Sequence, residues 1–204
     1  CNPEFSGTFI QSWMSGSWDD DRWQTEIENM NKAGIEYLIL QDVANKGSES
    51  AGGNWNVYYD SELAVFENAS FGGNVIENAL RNCEGSGIKV FVGLAMFDDF
   101  WNETALSPQY KEVCGVMADM VEEIYEKYGD YECLYGWYFT PEISNSLIRQ
   151  VYVGGLADGI NTVIDAINET LPSYKQMLRI ITTDQEMIKT TTGKVKRFVE
   201  TKNI

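Results

Sequence analysis

Apolar runs alternate with helix-like stripes along residues 7–170 of the chain. The runs at 7–13, 35–41, 88–94 and 135–140 predict four strands, and the apolar runs at 35–41 and 135–140 predict burial on both faces. Between them, apolar residues recur at helical spacing, as Trp23, Ile27 and Met30 do, and a last helix is predicted at roughly 155–170. This alternation of strand and helix is typical of a parallel sheet with right-handed crossover connections.

Capping residues mark the ends of the predicted helices. Ser17 and Asp20 have the spacing of a capping box, which predicts that Ser17 caps the first helix. Ser107 followed by Pro108 predicts the start of the third helix, with serine as the cap and proline at the first position. Gly34 follows the first helix, where a left-handed backbone is favoured.

The number of strands limits the architecture. A complete (β/α)8 barrel needs about 250 residues, whereas this chain has 204 and shows four strands, with a weaker fifth candidate at 177–181. The sequence therefore predicts an α/β fold of the (β/α)8 TIM-barrel-like type, with parallel strands, that comprises the N-terminal half to five-eighths of the barrel. A complete open doubly wound sheet is the alternative. Residues 11–16 lack the glycine spacing of a phosphate-binding loop, which disfavours a nucleotide-binding sheet.

The chain is strongly acidic and contains no histidine. Its formal net charge of −16 argues against binding nucleic acid, because phosphates require a basic surface. Without histidine, Ser-His-Asp catalysis, Cys-His catalysis and histidine-type zinc sites are excluded, and we expect neither a metal nor a cofactor. No apolar run approaches the roughly 20 residues of a membrane span. Acid–base chemistry would fall to carboxylates, Tyr, Lys or Cys.

Basic residues are concentrated at the C-terminal end. Residues 175–204 hold seven of the 15 Lys and Arg residues and three of the 31 Asp and Glu residues. This shift predicts a boundary between a partial barrel at 1–174 and a basic tail at 175–204. The tail is either a fifth βα unit or a segment unrelated to the barrel.

The four cysteines support two separate predictions. The chain begins at Cys1, as a bacterial lipoprotein does after cleavage of its signal peptide, or as a chain cut from a longer one does. The first alternative predicts an exported protein, at the cell surface or in the periplasm, with a lipid anchor at Cys1. Cys83, Cys114 and Cys133 lack metal-binding spacing, so we expect core thiols, although a disulfide between two of them would suit an oxidising compartment.

Polar and aromatic residues follow the predicted strands. The carboxyl ends of parallel strands meet at one rim, where α/β proteins place their sites. Amides and carboxylates hydrogen-bond hydroxyl groups, and indole rings stack on sugar rings, so the set predicts a carbohydrate-binding cleft. The alternative is that the aromatic side chains only fill the end of the barrel. The predicted cleft residues are Gln11, Trp13, Gln41, Asp98, Trp101, Trp137 and Tyr138, with Asp42 and Asp99 on the same rim.

Two further features adjoin this rim. Pro141 cannot donate to a strand ladder, so pairing should stop there and leave Glu142 at the tip of the fourth strand. The alternative for Glu142 is a carboxylate that merely solvates a loop. The long connection at 42–71 has no helical period and contains Trp55, Tyr58 and Tyr59, so we expect a binding lip there rather than an ordinary surface excursion.

Four segments of the chain together resemble the DUF4434 family. They are GTFIQSW at 7–13, GIEYLILQ at 34–41, GIKVFVGL at 87–94 and GWYFTPEI at 136–143, in order within residues 5–172. That family is uncharacterised, occurs largely in exported bacterial proteins and is similar to the glycoside hydrolase TIM barrels. The resemblance implies a barrel with a sugar-facing site.

The resemblance also implies roles for particular residues. In retaining glycosidases on this barrel, the glutamate after strand four is the general acid/base, and Glu142 is the position that matches. A second carboxylate would follow strand seven, which this chain lacks; Asp98 or Asp99 would have to replace it. A truncated or frame-shifted family member would explain both the missing strands and the basic tail.

Three functions remain open at this point. The first is a glycoside hydrolase that acts on an oligosaccharide or polysaccharide, with Glu142 as general acid/base. The second is a non-catalytic glycan-binding protein that uses the same amides and aromatic side chains. The third is an inactive, truncated barrel fragment.

Overall fold

The structure is a computed structural model that describes residues 5–101, 108–142 and 153–182. Four strands alternate with helices as the apolar pattern predicts, and four additional short strands lie between them. In chain order the elements are β1 (Gly7–Ile10), α1 (Ser12–Ser15), α2 (Asp20–Ala33), β2 (Tyr37–Leu40), β3 (Ala44–Lys46), β4 (Trp55–Val57), β5 (Ser70–Phe71), α3 (Val75–Cys83), β6 (Lys89–Gly93), β7 (Ala95–Phe97), α4 (Pro108–Tyr128), β8 (Leu134–Tyr138) and α5 (Val153–Glu169).

Four strands form a parallel sheet in the order β1-β2-β6-β8. The register pairs Ile10 with Leu40 and Leu40 with Val92, so the carboxyl ends of neighbouring strands lie side by side. The strand order follows the chain order, as in a barrel that closes strand by strand and unlike a doubly wound sheet, whose order reverses at a switch point. The sheet is therefore TIM-barrel-like, and the doubly wound alternative is not what the structure shows.

One face of this sheet packs against helices and forms the core. The side chains that are completely buried on this face are those of Leu38, Leu40, Val90 and Val92. They lie beneath helices that were predicted from apolar residues at helical spacing. The opposite face is half open: Phe9 and Tyr135 expose 50% and 54% of their surfaces. The prediction of strands buried on both faces is therefore wrong for the described residues, among which no element covers the second face.

The helix ends follow the sequence signals with one exception. Asp19, and not Ser17, caps α2: its side chain accepts a hydrogen bond from the backbone N–H of Arg22 at 2.9 Å. A carboxylate at this position also interacts favourably with the helix dipole. Gly34 ends α2 with a φ of 76°, in the left-handed region as predicted. Pro108 is the first residue of α4, also as predicted.

The connection at 42–71 supplies three strands, β3, β4 and β5, to a second small sheet, which β7 completes in the order β5-β4-β3-β7. The carboxylate of Glu123 on α4 holds this segment: it accepts hydrogen bonds from the Tyr59 hydroxyl (2.8 Å), the Ser61 hydroxyl (2.6 Å) and the Glu62 N–H (2.5 Å). Trp55 and Tyr59 are buried, so these two aromatic side chains stabilise the small sheet rather than form a binding lip.

Residues 176–182 run along α5 and form no strand. The Asn161 side chain exchanges two hydrogen bonds with the backbone of Ile180, and Asn168 accepts one from the N–H of Met177 at 2.7 Å. These contacts satisfy backbone groups that a sheet ladder would otherwise use. The fifth strand considered at 177–181 is therefore not formed in the described part of the chain. The rest of the predicted tail, 183–204, lies outside the described residues.

The three internal cysteines are buried thiols, as expected. Burial raises the pKa of Cys83 to about 12 and that of Cys114 to about 11, which keeps both protonated at neutral pH. Cys1, with its predicted lipid anchor, lies outside the described residues, so export and anchoring stay predictions. In the ranges that the structure describes, no helix is long and apolar enough to cross a membrane.

Candidate functional site

The candidate site is the rim formed by the carboxyl ends of the four parallel strands. Gln11 follows β1, Gln41 and Asp42 follow β2, Asp98 follows the β6–β7 pair, and Glu142 follows β8. The structure thus brings five predicted rim residues to the same edge of the sheet.

Two of the predicted cleft residues are in direct contact. The side-chain amide of Gln11 donates a hydrogen bond to the side-chain oxygen of Gln41. The backbone supports this pair, because the Gln41 N–H donates to the Ile10 carbonyl at 3.0 Å. Both amides retain further donor and acceptor capacity beyond their mutual bond. The pair can therefore present hydrogen-bonding groups to a hydroxylated ligand.

Trp13 lies two residues beyond Gln11, on the short helix α1. Its side chain is 67% exposed. The first strand ends at Ile10, three residues earlier than predicted. The chain turns into α1 there, because the N–H groups of Met14 and Ser15 donate hydrogen bonds to the Gln11 carbonyl. An exposed indole presents a ring face on which a ligand can stack.

The tip of β8 carries three predicted residues. Tyr138 meets Phe9 edge-to-face, with 5.4 Å between ring centroids, and burial together with the nearby Glu142 carboxylate raises its pKa. Trp137 is half-buried and packs against the hydrophobic core. Thr140 and Pro141 are buried while Glu142 is exposed, and the Thr140 hydroxyl donates to the Ala95 carbonyl. Strand pairing therefore stops before Pro141, as predicted, and Glu142 emerges beside Tyr138.

The loop after β7 is a single 3-10 turn, Asp98–Trp101. The Asp98 side chain is exposed. Asp99 instead accepts a hydrogen bond from the backbone N–H of Glu49 at 2.9 Å, which fixes the loop to the segment after β3. The Trp101 side chain lies outside what the structure describes, so its predicted contact with a ligand stays a prediction.

Asp42 has the most perturbed carboxyl group of the rim. Burial, and secondarily the charge of Asp98, raise its pKa from 3.8 to about 6. Tyr58 lies on the same side: burial and then the Asp42 charge raise the pKa of its hydroxyl. The position of Asp42 on the rim could be predicted from the sequence. Its burial could not, because that burial depends on segments that are distant in the chain, so nothing distinguished Asp42 from Asp99. The one available signal was its position directly after a buried strand.

The rim therefore combines amides, an exposed indole, tyrosines and carboxylates of different environments. These groups can hydrogen-bond hydroxyls, stack on a ring and transfer protons. Among the described residues, no group of three acidic or cysteine side chains is placed to hold a metal ion.

Comparison with solved structures supports the barrel assignment. The chain matches a crystal structure titled as that of a "putative alpha-L-fucosidase" from Bacteroides thetaiotaomicron, with a TM-score of 0.62 and 18% sequence identity. The match covers 82% of this chain and 48% of that one, so this chain spans about half the length of that protein. At this identity the likeness shows the fold alone. No curated protein matches the chain by sequence.

The fold is thus an α/β fold of the TIM-barrel-like type, with four parallel strands in the main sheet of the described residues. The family profile described as "Domain of unknown function (DUF4434)" matches residues 5–185. The chain belongs to the DUF4434 family.

Proposed function

We propose that this protein binds an oligosaccharide or polysaccharide at the strand-tip rim and hydrolyses a glycosidic bond there, with Glu142 as a general acid/base. The observation that carries the proposal is the shared rim. The Gln11–Gln41 pair and Glu142 follow the carboxyl ends of strands in one parallel sheet, and the exposed indole of Trp13 follows the first of these strands on α1. That rim is where barrel enzymes place their chemistry.

The surroundings of Glu142 suit a group that meets substrate. It is exposed, so a glycan can reach it, and its backbone follows the buried pair Thr140 and Pro141, which fixes its starting point. Tyr138, half-buried beside it, offers a ring face and a hydroxyl. The likeness to a protein titled as a fucosidase supports glycosides as the substrate class and makes an α-L-fucoside the first substrate to test.

The test is a hydrolysis and thermal-shift panel of aryl glycosides and oligosaccharides, headed by α-L-fucosides. Wild type should release the aryl group from one glycoside class, and the same class should raise its melting temperature. Glu142→Gln should lose about 100-fold or more in turnover while keeping the thermal shift. Glu122→Gln, which changes an exposed carboxylate on α4, is the matched control and should behave as wild type.

The panel also separates the alternative function. A thermal shift that is equal in wild type and Glu142→Gln, with no turnover of any glycoside, would identify a non-catalytic glycan-binding protein. The exposed Trp13 indole and the amide pair favour that function as much as hydrolysis, because neither feature is specific to catalysis. Neither a shift nor turnover with any glycoside would contradict both.

A further inference from the structure

Of the three aromatic residues in the connection at 42–71 that were predicted to form a binding lip, Tyr58 alone is not buried. The neighbouring Tyr59 is buried, and its hydroxyl donates to the Glu123 carboxylate at 2.8 Å. Tyr58 is half-buried, and its hydroxyl has no hydrogen-bond partner in the part of the chain that the structure describes. Because a phenol hydroxyl can both donate and accept hydrogen bonds, that of Tyr58 is available to a ligand.

The backbone of Tyr58 is attached to the tip of β2. Its N–H donates to the Val43 carbonyl at 2.9 Å, and Val43 directly follows the rim residue Asp42. The Val43 N–H in turn donates to the carbonyls of Gly93 and Leu94, at the end of β6, at 3.1 Å each. Tyr58 is therefore joined to the carboxyl end of the parallel sheet, where the candidate site lies.

The ring of Tyr58 lies directly against the backbone of Gly72. A Cβ added at Gly72 would overlap this ring, and the three nearest heavy atoms that it would meet all belong to the ring. Gly72 does not have a positive φ, so its backbone conformation does not require glycine. Hydrogen bonds from the Gly72 N–H to the Val57 carbonyl (2.8 Å) and from the Val75 N–H to the Tyr58 carbonyl (2.7 Å) hold the two segments together. A side chain at position 72 would therefore displace the ring.

A second glycine contact joins this segment to the region after β1. Gly16 follows α1, the short helix that comes directly after β1 and carries Trp13. A Cβ added at Gly16 would overlap the Gly72 carbonyl oxygen, and a Cβ added at Gly73 would overlap the Gly16 carbonyl oxygen. The two backbones thus approach too closely for any side chain. Tyr58 is attached to β2 through its own backbone and to the end of α1 through Gly72, and β1 and β2 are the strands that the amide pair follows.

The charges near Tyr58 favour a neutral ligand. Burial, and then the charge of Asp42, raise the pKa of the Tyr58 hydroxyl, so it stays protonated at neutral pH. The Asp42 carboxyl, with its pKa of about 6, is mostly ionised at about pH 7.5, and Asp98 acts on it from the 3-10 turn. These carboxylates would repel an acidic sugar. A neutral sugar offers hydroxyl groups that a protonated phenol can bind.

We propose that Tyr58 is a further glycan-binding residue, whose hydroxyl hydrogen-bonds a hydroxyl of a neutral sugar at the strand-tip rim, and that Gly72 is a positioning residue that keeps the Tyr58 ring in place. The inference rests on the proposed function, to which it adds the class of sugar and a further contact. The small sheet then has a role in the site, because it carries the residue that forms one wall of the cleft.

The first experiment measures affinity and stability together. Isothermal titration uses 4-nitrophenyl glycosides of neutral sugars, beginning with the α-L-fucoside, in the Glu142→Gln background so that the ligand is not consumed. Tyr58→Phe keeps the ring and removes the hydroxyl, so affinity should fall about tenfold with the melting temperature unchanged. Tyr59→Phe is the matched control: it removes the hydroxyl bound by Glu123 and should lower the melting temperature by about 5 °C with affinity unchanged. The 4-nitrophenyl β-D-glucuronide should bind more weakly than the neutral glycosides.

A double-mutant cycle tests the role of Gly72. Gly72→Ala should lower affinity about tenfold or more and also lower the melting temperature, because the added methyl group displaces the Tyr58 ring. In a Tyr58→Ala background the ring is absent, so Gly72→Ala should change neither quantity further.

Three results would overturn the inference while the proposed function stands. They are unchanged affinity in Tyr58→Phe, an equal effect of Gly72→Ala with and without the ring, and tighter binding of the glucuronide than of any neutral glycoside. Wild type that neither binds nor hydrolyses any glycoside overturns both the inference and the proposed function.

Discussion

The side-chain amide of Gln11 donates a hydrogen bond to the side-chain oxygen of Gln41, which joins the tips of the first two parallel strands. Because each amide keeps capacity for further bonds, the pair provides several polar contacts for a hydroxylated ring. Because the two side chains are hydrogen-bonded to each other, the orientation of each amide depends on the presence of the other.

The first prediction concerns this pair. Gln11→Ala and Gln41→Ala should each weaken glycan affinity by about tenfold, since each removes one direct contact and the support of the remaining amide. Isothermal titration with the glycan identified by the panel measures this. Gln24→Ala, on the exposed face of α2, is the control. Unchanged affinity in both amide variants would mean that the pair serves only to join the strands.

The second prediction concerns Asp42 and pH. Its folded-state pKa is raised from 3.8 to about 6, so the folded protein binds this proton more tightly than the unfolded chain does. Below about pH 4 the Asp42 carboxyl group is protonated in both states, so it does not change the free energy of unfolding. As the pH rises towards 6, ionisation of Asp42 lowers the free energy of unfolding. Asp42→Asn should remove this penalty, about 2–3 kcal/mol above that range.

Urea unfolding at pH 4 and pH 7.5 measures this effect. The Asp42→Asn variant and wild type should be nearly equal at the lower pH, and the variant should be more stable at the higher one. Asp119→Asn, on the exposed side of α4, should follow wild type at both. A variant less stable than wild type at pH 7.5 would show that the ionised Asp42 carboxylate stabilises the fold, contrary to the raised pKa.

The third prediction concerns the close approach of β6 to the β2 tip. A Cβ added at Gly93 would lie 1.9 Å from the Gln41 carbonyl oxygen, so that backbone would have to move. Gly93→Ala should cost about 2–3 kcal/mol of stability and abolish turnover, because it displaces Gln41 and Asp42. Gly115, in α4, has no atom within 4 Å of its added Cβ, and Gly115→Ala should stabilise the helix by about 0.5–1 kcal/mol. Thermal unfolding of the two variants in parallel measures this difference. Equal stability of Gly93→Ala and Gly115→Ala would contradict the prediction.

The fourth prediction concerns the anchoring of the small sheet. Glu123 accepts three hydrogen bonds from residues 59–62, so Glu123→Ala should lower the free energy of unfolding by about 2–4 kcal/mol. It should also raise amide hydrogen exchange in β4 and around Tyr58. Glu122→Ala, at the neighbouring exposed position, should change neither quantity. Protection at β4 that survives in Glu123→Ala would show that the strand pairs alone hold the segment.

The main sheet and its helices could be predicted from the sequence because local signals are strong there. Apolar runs of about six or seven residues, two of which follow a glycine (Gly34 and Gly87), indicate buried strands without reference to other parts of the chain. The capping residue of α2 was misjudged, since Ser17 and Asp19 are both good caps and the choice depends on where the preceding helix α1 ends. The exposed second face escaped prediction because the same apolar runs fit a covered sheet.

The small sheet could not be predicted, because its strands are only two or three residues long and depend on distant partners. β3 pairs with β7 and Tyr59 bonds to Glu123, contacts that join positions about 50 and 64 residues apart. The raised pKa of Asp42 could not be predicted for the same reason, because Asp98 and Tyr58, which interact with it, are distant in the chain. The rim residues themselves were predictable, because parallel strands bring their carboxyl ends together whatever the details of the loops.

The most direct measurement is the release of new reducing ends from the oligosaccharide that stabilises the wild-type protein, in wild type and in Glu142→Gln at equal saturation. The account predicts cleavage by wild type and a loss of about 100-fold or more in the variant, with the dissociation constant unchanged. Equal cleavage by both proteins, or no cleavage by wild type at saturation, would contradict it.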